Sequence, residues 1–292
     1  MTIESAGTYT LGDRTVRRIG YGAMQLAGAN VWGPPADRAG AVALLREAVA
    51  LGINHIDTCD YYGPHVVNEI IREALAPYPE DLTIVTKIGF FRGENGSWDE
   101  AYSDADLEKA VHDNLRNLGK DVIDVVNLRL LGDGEVRPAE ASIEREWTVL
   151  ARLREQGLVR HLGISNATMA QVREAQAIAP VVCVQNMYNL RMRADDAMID
   201  ELAAEGIAFT PFFPLGGFSP LQSSILSDVA AELGHTPVQV ALAWLLRRSP
   251  NILLIPGSPR IDWVGENLLA GDVDLTPAAL EKLDGIAAAE TV

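Results

Sequence analysis

Hydrophobic and polar positions along the chain follow two alternating patterns, short apolar runs and longer stretches with helical periodicity. The runs at residues 54–58 (NHIDT) and 82–87 (LTIVTK) show hardly any apolar–polar alternation, which is typical of strands buried on both faces of a parallel sheet. The stretch at residues 104–118 places its apolar residues three or four positions apart, which predicts an amphipathic helix. The same two patterns alternate through the rest of the sequence.

The order of these elements predicts the fold class. Residues 8–19 predict a β-hairpin, because TYTL and TVRRI flank the turn residues Gly12 and Asp13. The strands predicted after it lie at residues 21–24, 54–58, 82–87, 123–128, 159–165, 181–185, 207–211 and 252–256. The predicted helices lie at residues 41–52, 66–75, 104–118, 140–155, 167–178, 194–204, 238–246, 261–269 and 277–288. Eight strand–helix units without a linker or repeat predict one domain over residues 1–292, an α/β (β/α)8 TIM barrel with an N-terminal β-hairpin and extra C-terminal helices.

The charge balance limits the partners of the protein. The chain has 24 Lys and Arg against 40 Asp and Glu, a formal net charge of −16, so its surface repels phosphate backbones. We therefore expect neither nucleic acid nor a membrane as a partner, although a local basic pocket would still hold a single anionic ligand. Cys59 and Cys183 are too few for a disulfide framework, and the N-terminus does not resemble a signal peptide. These features predict a cytoplasmic protein, and a barrel that closes its own edges predicts a monomer.

Several common signatures are incomplete in this sequence. The run GYGAMQ from Gly20 lacks the third glycine of a dinucleotide-binding fingerprint, and the chain has no GxxxxGK[ST] loop. The run GISNA from Gly163 ends in alanine where a nucleophile elbow requires glycine, and no histidine partner suggests itself. The five histidines form no metal-type pair. The sequence therefore argues against a Rossmann domain, a hydrolase triad and a metal site.

Polar and aromatic residues collect at the predicted ends of the strands. In a barrel, the C-terminal strand ends meet at one mouth, where the catalytic residues lie. In chain order these residues are Asp57, Tyr62, Lys87, Arg129, Ser165, Asn166, Gln185, Phe212 and Ser258. The mouth that they form is the predicted active site.

Asp57, Tyr62 and Lys87 have the chemistry of a general-acid site. A tyrosine with an unperturbed pKa of about 10 is a weak acid at neutral pH. A neighbouring ammonium lowers that pKa, which brings the proton within reach of a carbonyl that is accepting hydride. Asp57 would in turn keep Lys87 charged and oriented. The alternative interpretation is a purely structural ion pair.

Several separated motifs carry a family resemblance. They are INHIDTCDYYG, TIVTKIG, GLVRHLGISN, VQNMYN and LLIPGS. Together they resemble the aldo-keto reductases over essentially the full length of the chain. The resemblance implies reduction of a small aldehyde or ketone with a nicotinamide cofactor, with Tyr62 as the general acid assisted by Lys87 and Asp57.

The resemblance also implies where the cofactor binds. Ser165, Asn166 and Gln185 match the side chains that hydrogen-bond the nicotinamide carboxamide. Phe212 lies where the family usually has a tyrosine that stacks on the nicotinamide, and the phenyl ring keeps the apolar area but loses the hydroxyl. Ordinary core packing is the alternative for Phe212.

Further residues match the other end of the cofactor. In PLGG, Leu215 and Gly216 would lie along the pyrophosphate, where glycine allows close backbone approach. The adenosine end is matched by Gly257, Ser258, Arg260, Glu266 and Asn267. Arg260 would bind a 2′-phosphate, which favours NADPH over NADH, although Gly257 replaces the lysine more usual in the family. Arg260 as a solvated surface residue is the alternative.

Arg129 is a departure from the family pattern. The fourth catalytic residue is normally a histidine at the end of the fourth strand, where this chain reads DVVNLRLLGD. A guanidinium can donate several hydrogen bonds and carries a permanent charge, so Arg129 would polarise the substrate carbonyl or anchor an anionic group. A salt bridge that closes the site is the remaining alternative.

A subgroup of the family offers a candidate substrate. GYGAMQLAG, WGPP, NLR and FFPLGGFSPLQSS resemble a bacterial subgroup related to pyridoxal reductases. This resemblance implies reduction of the 4-aldehyde of pyridoxal to pyridoxine. Trp32 and Trp98 lie in loops predicted to overhang the mouth, where they would shape a pocket for an aromatic substrate; exposed tryptophans with a structural role are the alternative.

Two rival functions remain open at this point. The first is a barrel that binds NADPH but turns over negligibly and acts as a redox sensor or regulatory partner, an interpretation that depends on Arg129. The intact set of Asp57, Tyr62 and Lys87 argues against it. The second is a barrel lyase or isomerase without nicotinamide, which leaves Ser165, Asn166 and Gln185 unexplained.

Overall fold

The strands form one large parallel sheet and two small hairpins. The protein, a computed structural model, is described over residues 3–130, 141–217 and 223–289. The strands are β1 (Thr8–Leu11), β2 (Arg14–Arg17), β3 (Tyr21–Gly22), β4 (His55–Asp57), β5 (Thr83–Ile88), β6 (Phe90–Arg92), β7 (Trp98–Glu100), β8 (Ile123–Arg129), β9 (Val159–Ser165), β10 (Val181–Gln185) and β11 (Ala208–Phe209). Seven of them are parallel neighbours in the order β3–β4–β5–β8–β9–β10–β11, whereas β1 pairs with β2 and β6 with β7 in antiparallel hairpins.

The segment around Leu253 closes this sheet into a barrel. On one side Leu253 N–H donates to the Phe209 carbonyl at 2.9 Å, and on the other side Gly20 N–H donates to the Leu254 carbonyl at 2.8 Å. The predicted eighth strand at residues 252–256 is therefore present as two isolated parallel bridges, Phe209–Ile252 and Ile19–Leu254, without a continuous ladder. The predicted (β/α)8 barrel with its N-terminal hairpin is confirmed.

Helices follow the strands and cover the outside of the barrel. They are α1 (Arg38–Ala50), α2 (Val66–Leu75), α3 (Asp104–Leu118), α4 (Glu144–Glu155), α5 (Met169–Ile178), α6 (Asp196–Ala204), α7 (Ser224–Leu233), α8 (Pro237–Arg248), α9 (Ile261–Leu268), α10 (Pro277–Asp284) and α11 (Ile286–Ala289). The extra C-terminal helices predicted from the sequence are α10 and α11. Across the described ranges, the helices are all too short or too polar to span a membrane.

The helix ends explain most boundaries, including those that the sequence pattern placed differently. Thr168 and Thr236 each form a capping box with the glutamine three positions later, so α5 and α8 begin directly after them. Helix α7 was not predicted; Ser223 caps its first turn and Gly234 ends it at a φ of 72°. The hairpin β6–β7 was also not predicted.

Residues 131–140 and 218–222 lie outside the described ranges. They include the start of the helix predicted at 140–155 and parts of the motifs around Arg129 and after Phe212.

The inside of the barrel is filled by alternate residues of each strand. A small apolar cluster there combines the hairpin residues Leu11 and Val16 with residues of the barrel strands, namely Val85, Val125, Cys183, Ala208 and Leu253. The hairpin therefore plugs the end of the barrel where the strands begin. Because side chains alternate along a strand, the polar residues at the other strand ends share this interior face and point into the mouth.

His55 lies in this interior, two residues before Asp57 on β4, and is 2% exposed. Its ring leaves no room for a side chain at Gly20. Burial lowers the pKa of His55 to about 4, against an ordinary value of 6.5, while the nearby Asp57 charge opposes the shift. The folded protein therefore binds fewer protons than the unfolded chain between these two pH values.

This difference predicts a loss of stability in acid. The free energy of unfolding should fall by about 3 kcal/mol as the pH drops from 7 to 4, because protonation of His55 favours the unfolded chain. Urea unfolding of His55→Leu should show a correspondingly flatter dependence on pH than wild type. The exposed His112 supplies the control, and His112→Leu should keep the wild-type slope. Equal slopes in wild type and His55→Leu would contradict the assignment.

Candidate active site

Lys87, Asp57 and Gln185 form a buried hydrogen-bonded chain at the mouth of the barrel. Lys87 Nζ donates to Asp57 Oδ1 and, at 3.0 Å, to the carbonyl oxygen of Thr58. Gln185 Nε2 donates to the other carboxylate oxygen, Asp57 Oδ2, at 2.8 Å. Lys87 and Asp57 are only 6% and 3% exposed, so the ion pair is largely shielded from water. Adjacent parallel strands β4 and β5 place the two charges side by side at their ends.

Burial lowers the pKa of Lys87, but the charges of Asp57, Tyr62 and Cys59 and the hydrogen bond to Asp57 raise it above its usual range. Lys87 therefore carries a permanent positive charge. Its Nζ lies 5.4 Å from the centroid of the Tyr62 ring. The positive charge is thus directed at the phenol.

Tyr62 is 9% exposed, in the loop between β4 and α2. Burial raises its pKa to about 12, and the charges of Lys87 and Arg129 oppose that rise without outweighing it. The sequence led us to expect a lowered pKa, so the direction of the net shift differs from that expectation. The physical reason is the desolvation of the phenolate in a closed mouth, which a sequence does not display. Tyr62 consequently holds its proton at neutral pH.

A buried polar network fixes the loop that carries Tyr62. Thr58 Oγ1 donates to Asn68 Oδ1 at 2.8 Å, and Asn68 Nδ2 donates to Asp60 at 3.0 Å and to Asn114 at 2.9 Å. Sequence analysis missed these residues. The available signal was that Asn68 and Asn114 stand on the apolar faces of α2 and α3, where a polar residue needs a partner.

Arg129 ends β8 and reaches across the mouth. Its Nη1 donates to Ser165 Oγ at 3.0 Å, and its guanidinium carbon lies 4.6 Å from the centroid of the Phe212 ring. Within the described ranges it forms no ion pair, so the salt bridge considered above is not seen there. Ser165 and Phe212 therefore fix the guanidinium at the mouth.

The residues predicted for the nicotinamide lie next to these charges. Ser165, Asn166 and Gln185 are all fully buried, and Ser165 Oγ donates to the Gln185 carbonyl at 2.9 Å. Gln185 Oε1 is buried and accepts no hydrogen bond from a described residue. Phe212 is 8% exposed and makes an edge-to-face contact with Phe213. The structure thus brings the three polar residues and Phe212 together around Arg129.

The residues predicted for the rest of the cofactor lie along the closing seam of the barrel. The backbones of Gly22 and Gly257 approach so closely that a Cβ added at Gly257 would lie 2.8 Å from the Gly22 carbonyl oxygen. Gly216 has a φ of 91°, and Leu215 is half-buried against the core. Ser258 is buried, and its Oγ accepts from Arg260 N–H at 3.0 Å.

Arg260 precedes α9 and has an exposed side chain. Its guanidinium lies 5.1 Å from the Trp263 ring and 3.4 Å from Asp262, so it is held only loosely. On α9, Glu266 accepts a hydrogen bond from Thr236 Oγ1 at 2.6 Å, and Asn267 is buried. The predicted adenosine-end residues are therefore collected at the start and along one side of α9.

Trp32 lies in the loop after β3, whereas Trp98, which was predicted to lie in a loop, is the first residue of β7. Each is 40% exposed, and the guanidinium of Arg92 lies between them, 5.1 Å from the Trp32 ring and 4.2 Å from the Trp98 ring. The loop after β3 and the β6–β7 hairpin are thereby joined beside the mouth. Sequence analysis did not single out Arg92.

Comparison with known proteins identifies the family of this chain. The sequence pattern of the aldo/keto reductase family matches residues 18–288. The chain belongs to this family. It is 65% identical over 283 residues to pyridoxine 4-dehydrogenase of Escherichia coli (strain K12), an alignment that covers 97% of this chain and 99% of that protein.

Solved structures of aldo-keto reductases share the fold. The glycerol dehydrogenase from Gluconobacter oxydans superposes with a TM-score of 0.82 at 22% identity. This superposition covers 97% of this chain and 96% of the glycerol dehydrogenase chain. An aldo/keto reductase from Klebsiella pneumoniae, in complex with NADP and acetate, gives a TM-score of 0.79 at 23% identity. The superposition covers 96% of this chain and 95% of the Klebsiella chain. Family membership makes this aldo-keto reductase an oxidoreductase, as the sequence motifs implied.

Proposed function

We propose that this aldo-keto reductase reduces a small aldehyde or ketone to the alcohol with NADPH, with Tyr62 as the general acid. The observation that carries the proposal is the buried chain in which Asp57 holds Lys87 and Lys87 faces the Tyr62 ring. A purely structural ion pair would not need a tyrosine held beside it at the mouth. The oxidation of an alcohol by the same residues follows by reversibility.

The site has features that suit a nicotinamide cofactor. Gln185 Oε1 is a buried acceptor without a partner among the described residues, and a carboxamide N–H would satisfy it. Gly22 and Gly257 carry no side chain where their backbones approach each other, which suits a backbone-lined pyrophosphate site. The ring of Phe212, beside Arg129 at the mouth, would contact the nicotinamide. When bound, NADPH supplies the hydride.

The side chains of this chain would handle the proton and the developing charge. Tyr62 donates its phenolic proton to the carbonyl oxygen as negative charge develops there. Lys87 stabilises the resulting phenolate, and Asp57 keeps the ammonium in place. Arg129, with no carboxylate partner among the described residues, polarises the substrate carbonyl or binds an anionic substituent.

The substrate that we propose is pyridoxal, whose 4-aldehyde would become the alcohol of pyridoxine. The relative with 65% identity is named pyridoxine 4-dehydrogenase, and Trp32 and Trp98 present aromatic surface beside the mouth. Chromatographic identification of pyridoxine, formed in equal amount to the NADPH consumed, tests this substrate. Turnover of other aldehydes but not of pyridoxal would contradict the choice of pyridoxal and leave the proposed reductase activity standing.

We further propose that the protein acts as a cytoplasmic monomer, since a closed barrel leaves no strand edge to pair.

Arg260 predicts the preference for the phosphorylated cofactor. Its charged, exposed side chain at the start of α9 is suited to charge-assisted hydrogen bonds with a 2′-phosphate. Arg260→Ala should raise the KM for NADPH by about 10- to 100-fold and leave the KM for NADH nearly unchanged. Steady-state kinetics with both cofactors measure this. Arg160→Ala, which removes an exposed arginine paired with Asp13 on the hairpin, is the control that should alter neither value. An equal rise for both cofactors would contradict a 2′-phosphate contact.

A second candidate function is an NADPH-binding sensor with negligible turnover. It is favoured only by Arg129, which replaces the usual histidine. Tight binding of NADPH without consumption in the presence of any aldehyde would support this function, and Arg129→His would then be tested for a gain of turnover.

A further inference from the structure

Arg92 connects loops that the active site uses but does not itself reach the catalytic chain. It ends β6, the first strand of the hairpin that follows β5. Its Nη1 donates to the Val31 carbonyl at 2.9 Å, and its Nη2 donates to the Gly96 carbonyl at 2.7 Å and to the Asn30 carbonyl at 3.4 Å. One guanidinium thus joins the turn after β3 to the tip of the hairpin.

The groups around Arg92 suit a guanidinium better than an ammonium. It lies between the rings of Trp32 and Trp98, and within the described ranges it pairs with no Asp or Glu. A guanidinium has a flat face that can stack on an indole and donates hydrogen bonds in a fixed fork, whereas an ammonium has neither the flat face nor the fork. The contacts made by this side chain are therefore directed at backbone carbonyls.

The Val31 carbonyl has a second donor, and this donor leads to Tyr62. Gly63 N–H donates to the same oxygen at 3.2 Å, and Gly63 directly follows Tyr62 in the chain. The turn that presents this oxygen is strained, because Asn30 and Val31 both have a φ of 57° and Val31 is β-branched. Such a turn persists only where neighbouring contacts hold it.

We propose that Arg92 is a positioning residue for Tyr62: stacked between Trp32 and Trp98, it holds the Val31 carbonyl to which the backbone beside the tyrosine is anchored. The inference rests on the proposed role of Tyr62 as the acid. Arg92 acts through this backbone path and does not touch the substrate carbonyl. A shift of the tyrosine oxygen by about 1 Å is enough to lower the rate of proton transfer strongly.

Arg92→Ala should lower kcat for aldehyde reduction by about 10- to 100-fold while the dissociation constant for NADPH stays at the wild-type value. If this variant does not fold, Arg92→Lys replaces it, because it keeps the stem and the charge but not the fork, and the same loss of kcat is expected. The matched control is Arg46→Ala, which removes an arginine that also donates to two backbone carbonyls, those of Glu73 and Ala74, away from the mouth. It should keep the wild-type kcat.

Hydrogen exchange supplies a readout that does not require turnover. Peptides covering residues 60–66 should exchange faster in Arg92→Ala than in wild type. Without Arg92, the Val31 carbonyl that accepts from Gly63 N–H is no longer held in place, so this hydrogen bond opens more often. The same peptides should be unchanged in Arg46→Ala. If wild type reduces no aldehyde, the proposed function fails, and the exchange result alone then decides whether Arg92 holds this loop.

Two results would overturn the inference. One is a folded Arg92 variant with wild-type kcat and wild-type exchange in residues 60–66. The other is a rise in the aldehyde KM with kcat preserved, since that would assign Arg92 to the shape of the substrate pocket instead of to the position of Tyr62.

Discussion

Replacing Tyr62 with phenylalanine is expected to lower kcat for aldehyde reduction by about 10²- to 10⁴-fold, the range typical for loss of a positioned general acid. The substitution removes one oxygen and keeps the buried ring 5.4 Å from the Lys87 ammonium. Binding of NADPH, measured by its fluorescence, should therefore persist. Burial raises the pKa of Tyr62 and makes the phenol a weaker acid, so proton donation depends on the neighbouring charge of Lys87, which opposes that rise.

Tyr61 offers a matched control for this experiment. It is the preceding residue and is buried to nearly the same extent, at 8% against 9% for Tyr62. Tyr61→Phe should keep the wild-type kcat, which would show that the loss in Tyr62→Phe comes from the missing proton donor and not from a disturbed loop. Comparable turnover in Tyr62→Phe and wild type would exclude Tyr62 as the acid.

Replacing Lys87 with methionine should have the second large effect, on activity and stability together. The phenolate left by proton transfer loses its neighbouring charge, so kcat should fall by a factor within the same range of about 10² to 10⁴. The buried carboxylate of Asp57 keeps only the hydrogen bond from Gln185, and breaking a buried pair costs about 3–5 kcal/mol. Urea unfolding measures that loss.

The loss of stability follows from the buried carboxylate of Asp57, which is left without its cation in a site that excludes water. Lys109→Met is the control: Lys109 pairs with Asp113 on α3 with its side chain 71% exposed, and its loss should cost less than about 1 kcal/mol. A loss of stability in Lys87→Met no larger than that in Lys109→Met would contradict this account of the pair.

The sequence predicted the order of the barrel because each of its elements repeats one local pattern. The apolar runs of β5, β8, β9 and β10 carry that pattern within the strand itself. The last barrel segment, around Leu253, carries the same apolar run, but it pairs through two isolated bridges instead of a continuous ladder, which the sequence does not show. Helix α7 was missed because its limits depend on the cap at Ser223 and the stop at Gly234, inside a stretch read as loop.

The candidate site was predictable where a residue type and a strand end coincide. Asp57, Lys87 and Gln185 are such cases, and the fold brings them into contact. The net pKa shift of Tyr62 was not predictable, because it depends on how much water the closed mouth excludes. The role proposed for Arg92 was also not predictable. Arg92 belongs to no motif, and it donates hydrogen bonds to carbonyl oxygens about 60 residues away in the chain.

The most direct test of the central claim is the transfer of deuterium to pyridoxal from NADPH deuterated at both C4 positions, during turnover by the wild-type protein. Mass spectrometry of the alcohol product, with Tyr62→Phe run in parallel, is the measurement. We predict one deuterium on the new alcohol carbon for each NADPH consumed, and almost no product from the variant. Tight binding of NADPH with no deuterium appearing in any alcohol, from pyridoxal or from other aldehydes, would contradict the reductase and favour the sensor.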